Sequence, residues 1–236
     1  MANILNSLSK VKSGDVVLSV RDIKKTFIEG GQPLHILRGG GFDLHRGEII
    51  ALVGQSGSGK STLLQCVGLL DKPSAGSIII GGAFVQKMDE DMRTKIRRNK
   101  IGFVYQKHNL LHDFTALENV ALPMLANGVD EVTANARAMK LLRAANVAHR
   151  ASHRPGEMSG GEQQRTAVAR ALANNPDILL ADEPTGSLDP QHATAVFDLL
   201  MDLVRKNKMA MLFVTHDMNL AQRADRKITI DNGIVL

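Results

Sequence analysis

Ile49-Ile50-Ala51-Leu52-Val53 runs directly into Gly54-Gln55-Ser56-Gly57-Ser58-Gly59-Lys60-Ser61. No other stretch restricts the fold of this chain so strongly. A continuous apolar run suits a parallel strand buried on both faces. The eight residues after it fit G-x-x-x-x-G-K-[ST], and a helix is expected from about Lys60 to Leu70. Glycines in such a loop let backbone N–H groups turn inward around phosphate oxygens, and the following helix N-terminus adds positive potential. Lys60 can reach the β- and γ-phosphates of a nucleotide, and the Ser61 hydroxyl can ligate Mg²⁺. An α/β chain with ligand at the carboxyl ends of parallel strands follows.

Other strand ends carry the matching chemistry. Ile178-Leu179-Leu180-Ala181 is a second buried strand, ending in Asp182-Glu183. Asp182 can hold Mg²⁺ through water, and Glu183 can polarise an attacking water. Ile101 to Tyr105 reads as a strand ending at Gln106, a further possible Mg²⁺ ligand. Met211 to Val214 is another, ending in Thr215-His216. His216 there is either solvated or in contact with a γ-phosphate. A phosphate loop beside an acidic strand end indicates a nucleotide phosphatase.

Ser159-Gly160-Gly161-Glu162-Gln163 adds a second inference. Ser159-x-x-Glu162 fits a capping box, so Ser159 can simply cap a helix reaching about Asn174. The two glycines are poor helix formers and leave the N–H groups of the first turn open to an anion. One phosphate tail does not need two such helix starts in one subunit. The second therefore points to a site completed by another copy of the chain.

Around this core, Val16 to Phe27 reads as a strand, Gly30-Gly31-Gln32-Pro33 as a turn, and Leu34 to Leu44 as a segment pairing back in a hairpin. Gly39-Gly40-Gly41 is expected to mark a bulge. Phe27 can stack on adenine or belong to the core. His108 to Glu157 lacks strand-like runs, and Leu141, Leu142 and Ala145 recur at helical spacing, so a helical insertion is expected. Arg93 to Lys100 carries five basic residues in eight and reads as a solvated helix face. The net charge of +5 fits an anionic nucleotide or a lipid surface as readily as nucleic acid. The single Cys66 excludes an internal disulfide and suits a small core site. No apolar run approaches the roughly 18 residues of a membrane span, and Met1 to Asn6 carries no leader pattern. Membrane work would therefore need partner chains to supply the spans.

Together these residues resemble the ATP-binding cassette (ABC) ATPases, over nearly the whole chain. The family's Walker A is Gly54 to Ser61, its Q-loop glutamine Gln106, and its Walker B ends in Asp182 with the catalytic Glu183. Its Leu-Ser-Gly-Gly-Gln signature stands here as Met158-Ser159-Gly160-Gly161-Glu162. Its D-loop is Ser187-Leu188-Asp189, its switch histidine His216, and its adenine platform Phe27, where Tyr is more usual. The resemblance implies one ABC domain over residues 1–236: a P-loop core with a mostly parallel sheet, an antiparallel N-terminal β region and an α-helical insertion at about 108–158. It implies ATP and Mg²⁺ as cofactors. Gln55, Ser56, Gly57, Ser58, Gly59 and Thr62 join Lys60 and Ser61 in nucleotide contact. Gly160, Glu162 and Asp189 also contact nucleotide, and Ser159 and Gly161 act on the ATP of the opposite copy in a head-to-tail dimer.

The segments Tyr105 to Val120 and His149 to Glu157 look more narrowly like the ATPases of bacterial lipoprotein-releasing systems. That likeness implies two copies at the cytoplasmic face of the inner membrane. They would sit beneath two integral-membrane subunits docked near Gln106 and the helical insertion, and would drive lipoproteins to a periplasmic chaperone. Macrolide-exporter and cell-division ATPases share most of the core motifs. DNA-repair and ribosomal members of the wider family carry a long coiled coil or two cassettes. Lys60 and Asp182 are too close in sequence for the first, and one cassette is present, so no nucleic-acid partner is expected.

Overall fold

The computed structural model describes residues 15–236, so the expectation for Met1 to Asn6 lies outside the described residues. In chain order the elements are β1 (Val16–Glu29), β2 (Gln32–Gly40), β3 (Phe42–His45), β4 (Ile49–Val53), α1 (Lys60–Val67), β5 (Ala75–Ile80) and β6 (Ala83–Phe84). Then come α2 (Glu90–Lys100), β7 (Ile101–Val104), α3 (Ala116–Leu125), α4 (Glu131–Ala144), α5 (Gly160–Ala171) and β8 (Ile178–Asp182). The chain ends with α6 (Pro190–Lys206), β9 (Ala210–Val214), α7 (Met218–Ala221), β10 (Arg226–Asp231) and β11 (Ile234–Val235).

The strands form one mixed sheet in the order β6-β5-β1-β2-β11-β10-β4-β9-β8-β7, with β3 paired to β1. β10, β4, β9, β8 and β7 are mutually parallel, whereas β1 pairs antiparallel with β2, β3 and β5. The apolar runs explain the parallel sector. Because side chains alternate faces along a strand, Ile50, Leu52, Leu180 and Leu212 enter one core with α1 and the antiparallel strands. Their neighbours Ile49, Ala51, Leu179, Met211 and Phe213 enter a second core with α6, where Phe197 meets Phe213 edge to face at 5.2 Å. A strand buried on both faces must be apolar throughout, as these are.

The helical insertion has a third core, built from Val120, Met124, Ala134, Ala138 and Leu142 of α3 and α4 with Ala169 of α5. Its entry is held by Asn119, which is fully buried. The Asn119 Oδ1 accepts from the Leu111 N–H at 2.8 Å, and its amide donates to the carbonyls of Leu111, Phe114 and Thr115. One side chain thus replaces the ladder bonds that a loop lacks.

Two expectations need correction. Gly39-Gly40-Gly41 marks close backbone approach rather than a bulge. β11 pairs with β2 at Gly39 and Gly40, and a Cβ on Gly40 would stand 2.0 Å from the Val235 carbonyl oxygen. The β1 registers on either side of these glycines, Lys24 with Arg38 and Val20 with Phe42, are in step, and the irregularity at this level lies instead in β1, which shifts against β5 between Arg21 and Lys24. Nor is Arg93 to Lys100 a wholly solvated face. Arg93 is 3 % exposed, and its guanidinium donates to the carbonyls of Leu69 and Asp71, as Arg97 does to Leu69. These carbonyls follow α1 in a loop and take side-chain donors instead of ladder partners.

Candidate nucleotide site

Because β4, β9, β8 and β7 are parallel neighbours, their carboxyl ends share one edge. Gly54 to Gly59, Thr215-His216, Asp182-Glu183 and Gln106 all leave the sheet there. The loop after β4 closes on its glycines. Gly54, Gly57 and Gly59 have φ of 154°, 76° and 104°, conformations that side chains resist. A Cβ on Gly54 would also stand 2.5 Å from the Ile230 carbonyl oxygen. Gly59 begins α1 without a side-chain cap, which leaves the first-turn N–H groups open to an anion. Gln55, Ser56 and Gly57 are exposed on the loop, Thr62 is half-buried on α1, and the buried Ser58 hydroxyl has no partner in the protein.

Lys60 is buried, and its ammonium donates to the carbonyls of Gly54 at 3.0 Å and Gln55 at 2.6 Å. Burial lowers its pKa, against the pull of the Glu183 and Asp182 carboxylates. Asp182 moves the other way: burial and the Glu183 charge raise it, while a hydrogen bond from Ser61 opposes them. The Ser61 hydroxyl donates to Asp182 Oδ1 at 3.4 Å. This hydroxyl–carboxylate pair beside the loop fits Mg²⁺, a hard cation usually held by one or two protein oxygens with substrate phosphates. Among the described residues no cluster of three or more His, Cys, Asp or Glu forms an all-protein metal cage.

Glu183 sits at φ 44°, a left-handed conformation for a non-glycine residue, fixed by its N–H on the Val214 carbonyl. Such strain persists where surrounding structure enforces it and clusters at functional sites. Its Oε1 lies 2.7 Å from His216 Nε2. Both residues line a cleft of about 370 Å³ together with Gly186, Leu188, Thr215 and Asp217. The Gln106 amide nitrogen and Glu183 Oε2 lie 2.9 and 3.1 Å from where a Gly186 Cβ would stand. Gln106 is thus beside Glu183. Phe27 is 39 % exposed, outside the core, with the Lys25 ammonium 4.7 Å from its ring centre.

Ser159 caps α5 in a full capping box: its hydroxyl accepts from the Glu162 N–H, and Glu162 Oε2 accepts from the Ser159 N–H at 2.8 Å. Glu162 Oε1 accepts from Arg150 Nε at 2.8 Å and lies 3.1 Å from His149 Nε2. These bonds, Arg150 first, bring the Glu162 pKa down to about 2 from an ordinary 4.5. A value depressed in the folded state adds stability that is whole above pH 4.5 and disappears as pH falls toward 2. In acid titrations of unfolding, the stability gap between wild type and Glu162→Gln should close across that window. A gap independent of pH would exclude this linkage. Gly160 and Gly161 face Leu188 and His192, and Asp189 caps α6 while pairing with His192 at 2.7 Å.

Sequence reading missed Gln164, the residue after Gln163. It is fully buried on α5, and its amide donates to the carbonyls of Tyr105 and Pro184 while Oε1 meets His108 Nδ1. It ties the helix that begins at Ser159 to the segments carrying Gln106 and Glu183. A polar residue on the buried face of an amphipathic helix was the available signal.

A P-loop, an acidic strand end with a histidine partner and a glycine-rich capped helix define a nucleotide-binding cassette. The chain belongs to the ABC transporter family, whose model matches residues 37–186. It is 49 % identical over 219 residues to a lipoprotein-releasing system ATP-binding protein, LolD 1, of Rhodospirillum rubrum, covering 93 % of this chain and 97 % of that one. It is 50 % identical over 220 residues to the LolD of Jannaschia sp., with the same two coverages. Among solved structures it resembles a dimeric, post-hydrolysis state of the ATP-binding cassette MJ0796 bound to ADP and Pi. The TM-score is 0.85 at 40 % identity, covering 92 % of this chain and 96 % of that chain.

Proposed function

We propose that this chain is the ATP-hydrolysing subunit of a lipoprotein-releasing ABC complex. It works as a head-to-tail pair at the cytoplasmic face of the inner membrane. The carrying observation is the near full-length identity to lipoprotein-releasing ATP-binding proteins. Among the described residues no helix is long and apolar enough to cross a membrane; in this reading two integral-membrane subunits supply the spans.

The chemistry follows from the strand-end edge. The loop N–H groups, the start of α1 and Lys60 hold the phosphates of ATP, and Phe27 offers its ring to adenine. Ser61 and Asp182 would hold Mg²⁺, with Gln106 as the expected further ligand; bound there, the ion offsets charge on the β- and γ-phosphates. Glu183 takes a proton from water as the water oxygen bonds to the γ-phosphorus. The bond from that phosphorus to the β–γ bridging oxygen breaks, giving ADP and phosphate. His216, held on Glu183, steadies the γ-phosphate. Ser159, Gly160, Gly161, Glu162 and Asp189 complete the site of the second copy.

Affinity purification from detergent-solubilised membranes tests the assignment. Large-ectodomain membrane subunits carrying lipoprotein are the expected co-purifying chains. Recovery of an antibiotic-exporter subunit in their place would overturn lipoprotein release.

A further inference from the structure

Glu162 sets an electrostatic problem. A carboxylate in the first turn of α5 stands three residues from Ser159, on the surface proposed to meet the polyphosphate of a second copy. Left unpaired, it would repel that ligand, since like charges a few ångströms apart near a protein surface cost several-fold in affinity. Here neither oxygen is unpaired. Oε2 is taken by the Ser159 N–H, and Oε1 by Arg150 Nε with His149 Nε2 beside it. The Glu162 side chain is 18 % exposed and that of Arg150 35 %, so the pair is partly shielded from solvent.

Arg150 is itself fixed. It ends a 3₁₀ turn, Ala148–Arg150, and its Nη1 lies 3.1 Å from His153 Nε2. The backbone N–H of His153 returns to the Arg150 carbonyl at 2.9 Å. Gln163 holds the approach to Ser159 from the other side, donating to the carbonyls of Pro155 and Met158. Leu188 and His192 stand beside the glycines of the turn, 3.5 and 3.4 Å from where a Cβ on Gly160 and on Gly161 would lie. The turn is thus held by contacts within one copy.

Resting on the head-to-tail reading, we propose that Arg150 is a positioning residue for the second copy's nucleotide: it neutralises Glu162 and fixes the turn that presents Ser159 and Gly160. Nucleotide held by the chain's own P-loop does not depend on it, so it acts on dimer closure and not on ATP binding by one copy.

The test uses full-length protein carrying Glu183→Gln, with ATP-dependent dimerisation followed by sedimentation and ATP affinity measured on the dilute monomer. Adding Arg150→Gln should weaken dimerisation about tenfold while monomer affinity stays within about twofold. Adding Glu162→Gln to that variant should recover most of the loss, because Gln can keep the capping bond to the Ser159 N–H that shapes the site while the uncompensated charge is gone. Arg150→Lys, which keeps the charge but loses the Nε–H, should fall between. Dimerisation unaffected by Arg150→Gln would overturn the proposal. So would a loss that Glu162→Gln does not repair, or one accompanied by equal loss of monomer affinity. If the Glu183→Gln parent itself fails to dimerise with ATP, the head-to-tail reading falls first.

Discussion

Glu183→Gln should slow ATP hydrolysis about a thousandfold, the range expected for losing a general base, while ATP still binds. The amide matches the carboxylate in size, so the left-handed backbone at residue 183 and the cleft shared with His216 should persist. Its oxygen can still accept from His216 Nε2, now 2.7 Å from Glu183 Oε1. What it cannot do is take a proton from water. Binding without turnover should then accumulate a stable ATP-bound dimer. Phosphate release in a single turnover is the direct measurement. A wild-type burst from the variant would remove Glu183 from the role of base and leave the strain at that residue without a chemical purpose.

Lys60→Met should act at the step before. Met keeps most of the apolar stem, which is buried, but removes the ammonium that reaches the carbonyls of Gly54 and Gln55. Loss of a preorganised cation from a phosphate site costs on the order of a hundredfold or more. We expect nucleotide affinity to fall by about that factor and hydrolysis to drop to background. The melting temperature should stay near wild type, because no core contact is lost. Isothermal titration with a nonhydrolysable ATP analogue separates the two effects. Unchanged affinity with lost turnover would confine Lys60 to the transition state; unchanged values of both would exclude it from the site.

The parts of this architecture legible in the sequence were those fixed by local chemistry. Strands buried on both faces must be apolar, so Ile49 to Val53 and Ile178 to Ala181 declared themselves. A phosphate loop needs glycines where φ is positive, and Gly54, Gly57 and Gly59 stand there. What sequence could not give was set by contacts between distant segments. Arg93 resembled any surface arginine until α2 packed beside the loop at Leu69. Gly40 had no visible reason until the carboxyl-terminal strand β11 came alongside it. Glu162 looked like a departure, and its partner Arg150 stands in a separate 3₁₀ turn. Gln164 bonds to residues about sixty and twenty positions away, a pattern no local periodicity encodes.

Helix α5 belongs to two cores at once. Val168 packs with the sheet, whereas Ala169, one position on and about 100° around the helix, packs with the insertion; just past the helix end Leu172 and Ala173 divide the same way. It is therefore an axle shared by two bodies. A push on the insertion meets α5 through Ala169, and the same helix is capped at its other end by Ser159. In the proposed complex, movement of a membrane partner against α3 and α4 would in this way be felt at Ser159, and nucleotide arriving at Ser159 would be felt in the insertion by the same route.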